Sequence, residues 1–161
     1  MTDPVAAGEH APIFSLPTAT DDGIVATNLT DHYEHGPVVL AFFPAAFSGT
    51  CTTEFCTFRD RLKPLAQAGA EVVGISTDLP WALAAFRKAE ALPFPLAADN
   101  DGSVCAEYGV RTHYEPYGID GVARRAVFVV DTEGTVTYRW LADAPSEEPA
   151  YDAISEAVTE A

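Results

Sequence analysis

The hydrophobic and polar positions of the chain predict strands that alternate with helices. A continuous apolar run, typical of a strand covered on both faces, occurs at Pro37–Phe43. Glu71–Thr77 is predicted as the next buried strand and Leu96–Ala98 as a short strand. Helices are predicted at Thr50–Ala66, Asp78–Ala91, Ser103–Tyr108 and Glu147–Val158. The first helix carries an apolar stripe at spacings of three and four, formed by Phe55, Phe58, Leu62 and Leu65. Asp78 is expected to cap the second helix, with Pro80 in its first turn.

Turn residues between apolar segments predict hairpins in two parts of the chain. Thr132-Glu133-Gly134 joins Arg125–Asp131 to Val136–Leu141, as in a hairpin loop, and Ala11–Thr30 is expected to form a hairpin before the core. This order of elements predicts an α/β protein with a thioredoxin-like sandwich, a central mixed β-sheet flanked by helices with an N-terminal β-hairpin extension. A length of 161 residues suits one domain over residues 1–161.

The charge balance argues against several kinds of partner. The chain has 24 acidic and 9 basic residues and a formal net charge of −15, so nucleic acid and anionic membrane surfaces would repel it. Met1–His10 has neither the basic start nor the apolar segment of a secretory signal. We therefore expect a cytoplasmic protein with no nucleic-acid or membrane partner. We attribute the halophile-like acidic surface to a cytoplasm of high salt, where screening relieves self-repulsion.

Three cysteines are present, Cys51, Cys56 and Cys105. An odd number without a secretory signal indicates thiol chemistry in a reducing compartment rather than a disulfide framework. Cys51 is predicted in the first turn of a helix that follows a buried strand, where free backbone N–H groups and the helix dipole favour a thiolate. Cys105 is expected to pack in the core. The alternative for it is the role of a resolving thiol, which forms a disulfide with an oxidised cysteine.

A thiolate at Cys51 needs more stabilisation than a helix terminus provides. Lowering the pKa of a thiol from about 8.5 to roughly 6 needs about 3.4 kcal/mol, and the helix contributes about 0.3–2 kcal/mol. We therefore expect a cationic partner and assign Arg125, with Arg124 as the alternative if the strand register is shifted by one. The Ser48 hydroxyl can turn towards the thiolate, and Pro44 ends the strand and shapes the loop.

The spacing of Pro44, Ser48 and Cys51 resembles the active-site motif of the peroxiredoxins. Arg125–Asp131 is similar to a later strand of that family, which begins with its active-site arginine. Glu54 matches a common family position, for which we expect a supporting role. The resemblance implies an enzyme, a peroxidase that uses Cys51 to reduce hydrogen peroxide and organic hydroperoxides.

Two types of peroxiredoxin are represented around the motif. Phe43–Gly49 resembles the alkyl hydroperoxide reductase E type, whereas Cys51–Cys56 resembles the bacterioferritin-comigratory type, in which the second cysteine resolves the oxidised centre. The resemblance implies that Cys51 becomes a sulfenic acid, that Cys56 forms a disulfide with it, and that a thioredoxin-like dithiol recycles the enzyme. It implies no cofactor and no metal, and relatives of this kind occur as monomers and as homodimers.

Helix geometry sets a condition on this cycle. Residues five positions apart in a helix have Cα atoms ~8.6 Å apart, whereas a disulfide needs roughly 4.4–6.8 Å. Cys51 and Cys56 can therefore pair only after this part of the helix unwinds. The alternatives are a one-cysteine enzyme with a structural Cys56, and a peroxide sensor that uses the same sulfenic acid.

Two rival functions use the same fold. A thiol–disulfide oxidoreductase usually has two residues between its cysteines, whereas Cys51 and Cys56 have four. A copper-binding module would add a distant histidine such as His113, but Arg125 would oppose a soft cation.

One long loop is predicted before Arg124. Its Tyr114, Pro116 and Tyr117 are candidates for lining the substrate opening.

Overall fold

The computed structural model describes residues 3–67 and 69–161, with the backbone alone at positions 62 and 63. Its strands are β1 (Ser15–Thr20), β2 (Gly23–Asn28), β3 (Val38–Phe42), β4 (Glu71–Ser76), β5 (Leu96–Ala98), β6 (Arg111–Tyr114), β7 (Ile119–Ala123), β8 (Ala126–Val130) and β9 (Val136–Leu141). Its helices are α1 (Leu29–Tyr33), α2 (Gly49–Asp60), α3 (Leu62–Gln67), α4 (Pro80–Ala89), α5 (Ser103–Glu107) and α6 (Tyr151–Glu160). None of these helices is long and apolar enough to cross a membrane.

Seven strands form one mixed sheet in the order β2-β1-β5-β4-β3-β8-β9. β3 is parallel to β4, and β4 to β5, since the chain returns to the same end of the sheet through a helical connection each time. The β1–β2 and β8–β9 pairs are antiparallel hairpins. The prediction of a thioredoxin-like α/β fold with an N-terminal hairpin is confirmed, and β6 and β7 pair outside this sheet.

Alternate residues of the central strands face two hydrophobic cores, one on each side of the sheet. Val38, Leu40 and Phe42 of β3 face the first core, to which α1 and α5 contribute. Val39 and Ala41 face the second core, which includes residues of α2, α3, α4 and α6. This period of two is what a strand covered on both faces requires.

The helix predicted at Thr50–Ala66 is two helices in the structure, α2 and α3. The break follows from Pro64, which has no N–H to donate to the Asp60 carbonyl and whose ring would clash with it in a continuous helix. The predicted stripe lies in the second core through Phe55, Phe58 and Leu65. The Leu62 side chain falls outside the described residues.

Two helix starts also differ from the prediction. The residue that precedes α4 is Leu79, and no side chain caps this helix, because the Asp78 carboxylate accepts hydrogen bonds elsewhere. The last helix begins at Tyr151 rather than Glu147, since a proline at position 149 disfavours helical backbone in the residue before it.

The loop predicted before Arg124 contains the β6–β7 hairpin. Its strands are mostly exposed or half-buried, so they lack the apolar alternation that reveals a strand in the sequence. A short 3-10 helix, Glu115–Tyr117, joins them.

Candidate active site

The pairing of β3 with β8 creates the site at one edge of the sheet. The two strands are antiparallel, with Phe42 opposite Ala126, so the end of β3 lies beside the start of β8. The residues that follow Phe42 therefore meet Arg125, although the two segments are far apart in the sequence. Pro44 is buried in the loop that continues from β3 to α2.

The start of α2 is capped by Ser48. Its hydroxyl oxygen accepts a hydrogen bond from the Cys51 N–H at 3.4 Å, which satisfies one of the free donors of the helix terminus. Phe47 before it has a φ of 67°, a left-handed conformation that costs a non-glycine residue roughly 1–2 kcal/mol. The Phe47 ring packs against Phe86 of α4 with centroids 5.2 Å apart, which holds this turn in place.

Cys51 lies between α2 and the sheet, with 0% of its surface exposed. Arg125 is also buried, with 2% of the residue exposed. Its guanidinium donates a hydrogen bond from Nη2 to the Cys51 Sγ at 3.2 Å. Its Nη1 donates to Glu54 Oε1 at 2.8 Å, and Nη2 and Nε donate to the Pro145 carbonyl at 3.0 and 3.2 Å. The arginine is therefore fixed by a carboxylate and a carbonyl while one N–H faces the sulfur.

Burial and charge act on Cys51 in opposite directions. Burial raises the pKa of the Cys51 thiol, while the Arg125 charge, the Ser48 hydroxyl and the Ala45 N–H lower it. Burial prevails, so the pKa lies above its ordinary value, contrary to the lowered pKa expected from the sequence. The arginine contact is thus the largest influence that favours the thiolate.

Glu54 is also fully buried. Burial raises the pKa of Glu54 to about 7, although the ion pair and hydrogen bond with Arg125 lower it. Its Oε2 accepts no hydrogen bond within the described part of the chain. A carboxyl group that is partly protonated at neutral pH agrees with this unpartnered oxygen, since a neutral group is less costly to bury.

Cys56 points away from Cys51. Its Sγ donates to Glu90 Oε2 at 3.5 Å, at the C-terminal end of α4, and Arg59 Nη1 donates to the Glu90 carbonyl at 2.6 Å. Burial and the Glu90 hydrogen bond raise the pKa of Cys56. Both cysteines are free thiols in the continuous helix α2, so the structure brings Cys56 into the same helix but not into the site.

Cys105 lies on the opposite side of the sheet from Cys51. It belongs to the first core and Cys51 to the second. Its backbone N–H donates to Asp99 Oδ2 at 2.8 Å, and burial raises the pKa of its thiol. Because the sheet separates the two sulfurs, this placement favours the core-packing interpretation of Cys105.

A cavity of about 490 Å³ opens beside Arg125 and Ser48. Tyr114, Pro116 and Tyr117 line it, in agreement with the prediction for this loop. The rings of the two tyrosines stack with centroids 5.6 Å apart.

The alternatives left open by the sequence differ in how they fit this geometry. Arg124 donates to the Ala142 carbonyl at 2.8 Å, so Arg125 is the residue of the pair that contacts the sulfur. Within residues 3–67 and 69–161, no cluster of three or more His, Cys, Asp or Glu side chains is placed to bind a metal. The sequence predicts no contact with the site for Pro145 or Glu90, and only a helix-capping role for Asp78, because a carbonyl acceptor or a loop contact leaves no spacing pattern.

The geometry of the site favours one kind of chemistry over metal binding and dithiol exchange. The guanidinium beside Cys51 disfavours a metal cation, and the second thiol lies outside the site, which disfavours direct dithiol exchange. A single thiol next to a fixed hydrogen-bond donor is suited to attack an electrophile whose leaving group becomes negative. Together with the thioredoxin-like fold, this defines the class of thiol-dependent peroxidases.

Comparisons with known proteins agree with that class. The model of the AhpC/TSA family matches residues 7–139, and the chain belongs to this family. It is 37% identical over 138 residues to "Peroxiredoxin Bcp" of Escherichia coli, covering 84% of this chain and 85% of the relative. The crystal structure of peroxidoxin BcpB from Mycobacterium tuberculosis covers 96% of both chains with 32% identity and a TM-score of 0.82. The reduced 2-Cys peroxiredoxin of Plasmodium vivax, at 23% identity and a TM-score of 0.83, shares the fold.

Proposed function

We propose that this thiol peroxidase reduces hydrogen peroxide and organic hydroperoxides with Cys51 as the nucleophile. The observation that carries the proposal is the 3.2 Å contact between Arg125 Nη2 and the Cys51 Sγ. The Cys51 thiolate attacks the terminal peroxide oxygen, the O–O bond breaks, and the sulfur is oxidised to a sulfenic acid. The departing alkoxide or hydroxide takes up a proton and leaves as alcohol or water. Arg125 and Ser48 stabilise the charge on that oxygen, while Pro44 shapes the loop and Glu54 holds the arginine.

Cys56 then resolves the sulfenic acid. Its thiol attacks the oxidised sulfur, a disulfide forms, and one water leaves. Because both cysteines lie in the intact helix α2, this step requires the helix to unwind between them. The hydrogen bonds from Cys56 and Arg59 to Glu90 must break or shift during this change, so they oppose the unwinding.

A thioredoxin-like dithiol is the proposed reductant. Its two thiols reduce the Cys51–Cys56 disulfide and are themselves oxidised to a disulfide. Formation of a homodimer and a cytoplasmic location belong to the same proposal, and analytical ultracentrifugation measures the first of them.

Mass spectrometry of the intact protein tests this function. One equivalent of hydrogen peroxide, followed by thiol trapping, is expected to remove two hydrogens from the wild type through a Cys51–Cys56 disulfide. Cys56→Ser is expected to give a trappable sulfenic acid on Cys51, and Cys51→Ser should not react. A sulfenic acid on Cys51 in the wild type as well would make Cys56 structural. No oxidation of Cys51 would contradict the peroxidase proposal.

Turnover separates the enzyme from a sensor. With a thioredoxin-like dithiol and its reductase, an enzyme consumes many equivalents of peroxide for each protein molecule. A sensor stops after one equivalent.

A further inference from the structure

Asp78 makes contacts that its predicted role as a helix cap does not explain. It lies between β4 and α4, and its Oδ2 accepts a hydrogen bond from the Ala46 N–H at 2.8 Å. The same oxygen accepts from the Ser76 hydroxyl at 2.6 Å, and the Asp78 N–H donates to the Ser76 Oγ at 3.1 Å. Ser76 is fully buried at the end of β4. The carboxylate therefore joins the active-site loop to the central sheet.

The loop held by Asp78 carries the groups that contact Cys51. A backbone hydrogen bond from Ala45, one residue before the bonded Ala46, lowers the pKa of the Cys51 thiol. Ser48, two residues after Ala46, accepts from the Cys51 N–H.

This loop also contains a strained residue. Phe47 has a φ of 67°, and such backbone persists only where surrounding contacts hold it. Two contacts hold it here. Asp78 accepts from the N–H of the preceding residue, Ala46, and the Phe47 ring packs against Phe86.

We propose that Asp78, fixed by Ser76, is a positioning residue that holds the loop from Ala45 to Ser48 against Cys51. The proposal rests on the proposed function only in taking Cys51 as the reactive thiol. The part of Asp78 that acts is its acceptor oxygen, because a negative charge near the site would disfavour a thiolate rather than favour it.

The expected effect is on the ionisation of Cys51. Without the acceptor, the Ala46 N–H is released and the loop can move. This weakens the contact of Ser48 with Cys51 and the influence of Ala45 that lowers the pKa of the Cys51 thiol. A tenfold change in the ratio of thiolate to thiol corresponds to one pKa unit. Asp78→Ala is therefore expected to raise the alkylation midpoint of Cys51 by about one pH unit and to slow its oxidation by peroxide roughly tenfold.

The test is the pH profile of iodoacetamide labelling at Cys51, read by peptide mass spectrometry in Asp78→Ala, Asp78→Asn and Ser76→Ala. The asparagine oxygen can accept the same bonds, so Asp78→Asn is expected to keep the wild-type midpoint. Ser76→Ala removes only the support of the carboxylate and should give a smaller shift. Circular dichroism confirms that each variant is folded, and Ser76→Ala decides the matter if Asp78→Ala does not fold.

Asp131→Ala is the matched control. The Asp131 carboxylate also holds a loop, accepting from the Glu133 and Thr135 N–H groups, but at the opposite end of β8 from Arg125. It is expected to lower the melting temperature without moving the Cys51 midpoint. A folded Asp78→Ala with an unchanged midpoint, or an Asp78→Asn as impaired as Asp78→Ala, would overturn the proposal. Wild-type Cys51 that is alkylated but not oxidised by peroxide would instead contradict the proposed function.

Discussion

Replacing Arg125 by methionine should leave a buried carboxyl group without its partner. Both side chains of the Arg125–Glu54 pair are buried, 1% and 0% exposed, and their atoms are 2.8 Å apart. Removing one partner of a buried ion pair typically costs about 3–5 kcal/mol, because the remaining charge has lost its compensation. We therefore expect Arg125→Met to lower the free energy of unfolding by about that amount at pH 8.

The cost should depend on pH in a defined direction. In the folded wild type, the pKa of Glu54 is raised from 4.5 to about 7. Between these values the folded state binds more protons than the unfolded state, so stability falls as pH rises through this window. Without Arg125 the pKa of Glu54 rises further, and the fall continues above pH 7. The variant should consequently lose more stability at pH 8 than at pH 5, where Glu54 is mostly protonated in both folded proteins.

Urea unfolding of the wild type, Arg125→Met, Glu54→Leu and the double variant measures these terms. The double variant is expected within about 1–2 kcal/mol of the wild type, since a buried ion pair is often replaced by apolar residues at little cost. An Arg125→Met cost at pH 8 that is below about 1 kcal/mol, or no larger than at pH 5, would refute this reasoning.

Three further changes test other parts of the structure. Glu90→Ala should speed Cys51–Cys56 disulfide formation about two- to tenfold, because one hydrogen bond worth about 0.5–1.5 kcal/mol no longer opposes unwinding. Glu90→Gln keeps an acceptor and is the control. Equal rates of Glu90→Ala and the wild type in quenched-flow mass spectrometry would mean that the bond is irrelevant. Gly74→Ala places a Cβ 2.6 Å from Leu96 Cδ2 and 2.9 Å from Phe55 Cε1. Thermal unfolding should therefore show that the free energy of unfolding falls by about 1–3 kcal/mol. An unchanged melting temperature would mean that α2 shifts freely. Molar sodium chloride should raise the melting temperature, because it screens a net charge of −15; no gain would contradict the halophile interpretation.

Features that depend on local pattern were predictable from the sequence. The apolar runs that become β3, β4 and β5 and the turn between β8 and β9 have the periodicity of buried strands and a hairpin. The buried strand followed by a helical apolar stripe placed Cys51 in the first turn of a helix. Arg125 followed from the need for a cation near that thiol.

Features that depend on tertiary packing were not predictable. The β6–β7 hairpin has mostly half-buried and exposed residues, so its strands have no hydrophobic signal. Asp78 has the residue type and position of a helix cap, and only the approach of the Ala46 N–H explains why it bonds elsewhere. The balance that raises the pKa of Cys51 depends on how deeply the sulfur is buried, which one residue's sequence context does not specify.

The sheet separates Cys105 from Cys51, so the reactivity of the Cys105 thiol can report global unfolding of this protein. Cys51 and Cys105 are both 0% exposed, but Arg125 and Ser48 beside Cys51 line the cavity, whereas Cys105 is packed within the first core. Burial raises the pKa of the Cys105 thiol, so a thiol reagent reaches it only when the fold opens. The rate at which Cys105 reacts with the thiol reagent therefore reports global opening of the fold, separately from any event at the active site. In one sample, the same titration can follow catalytic oxidation through Cys51 and Cys56 and conformational opening through Cys105.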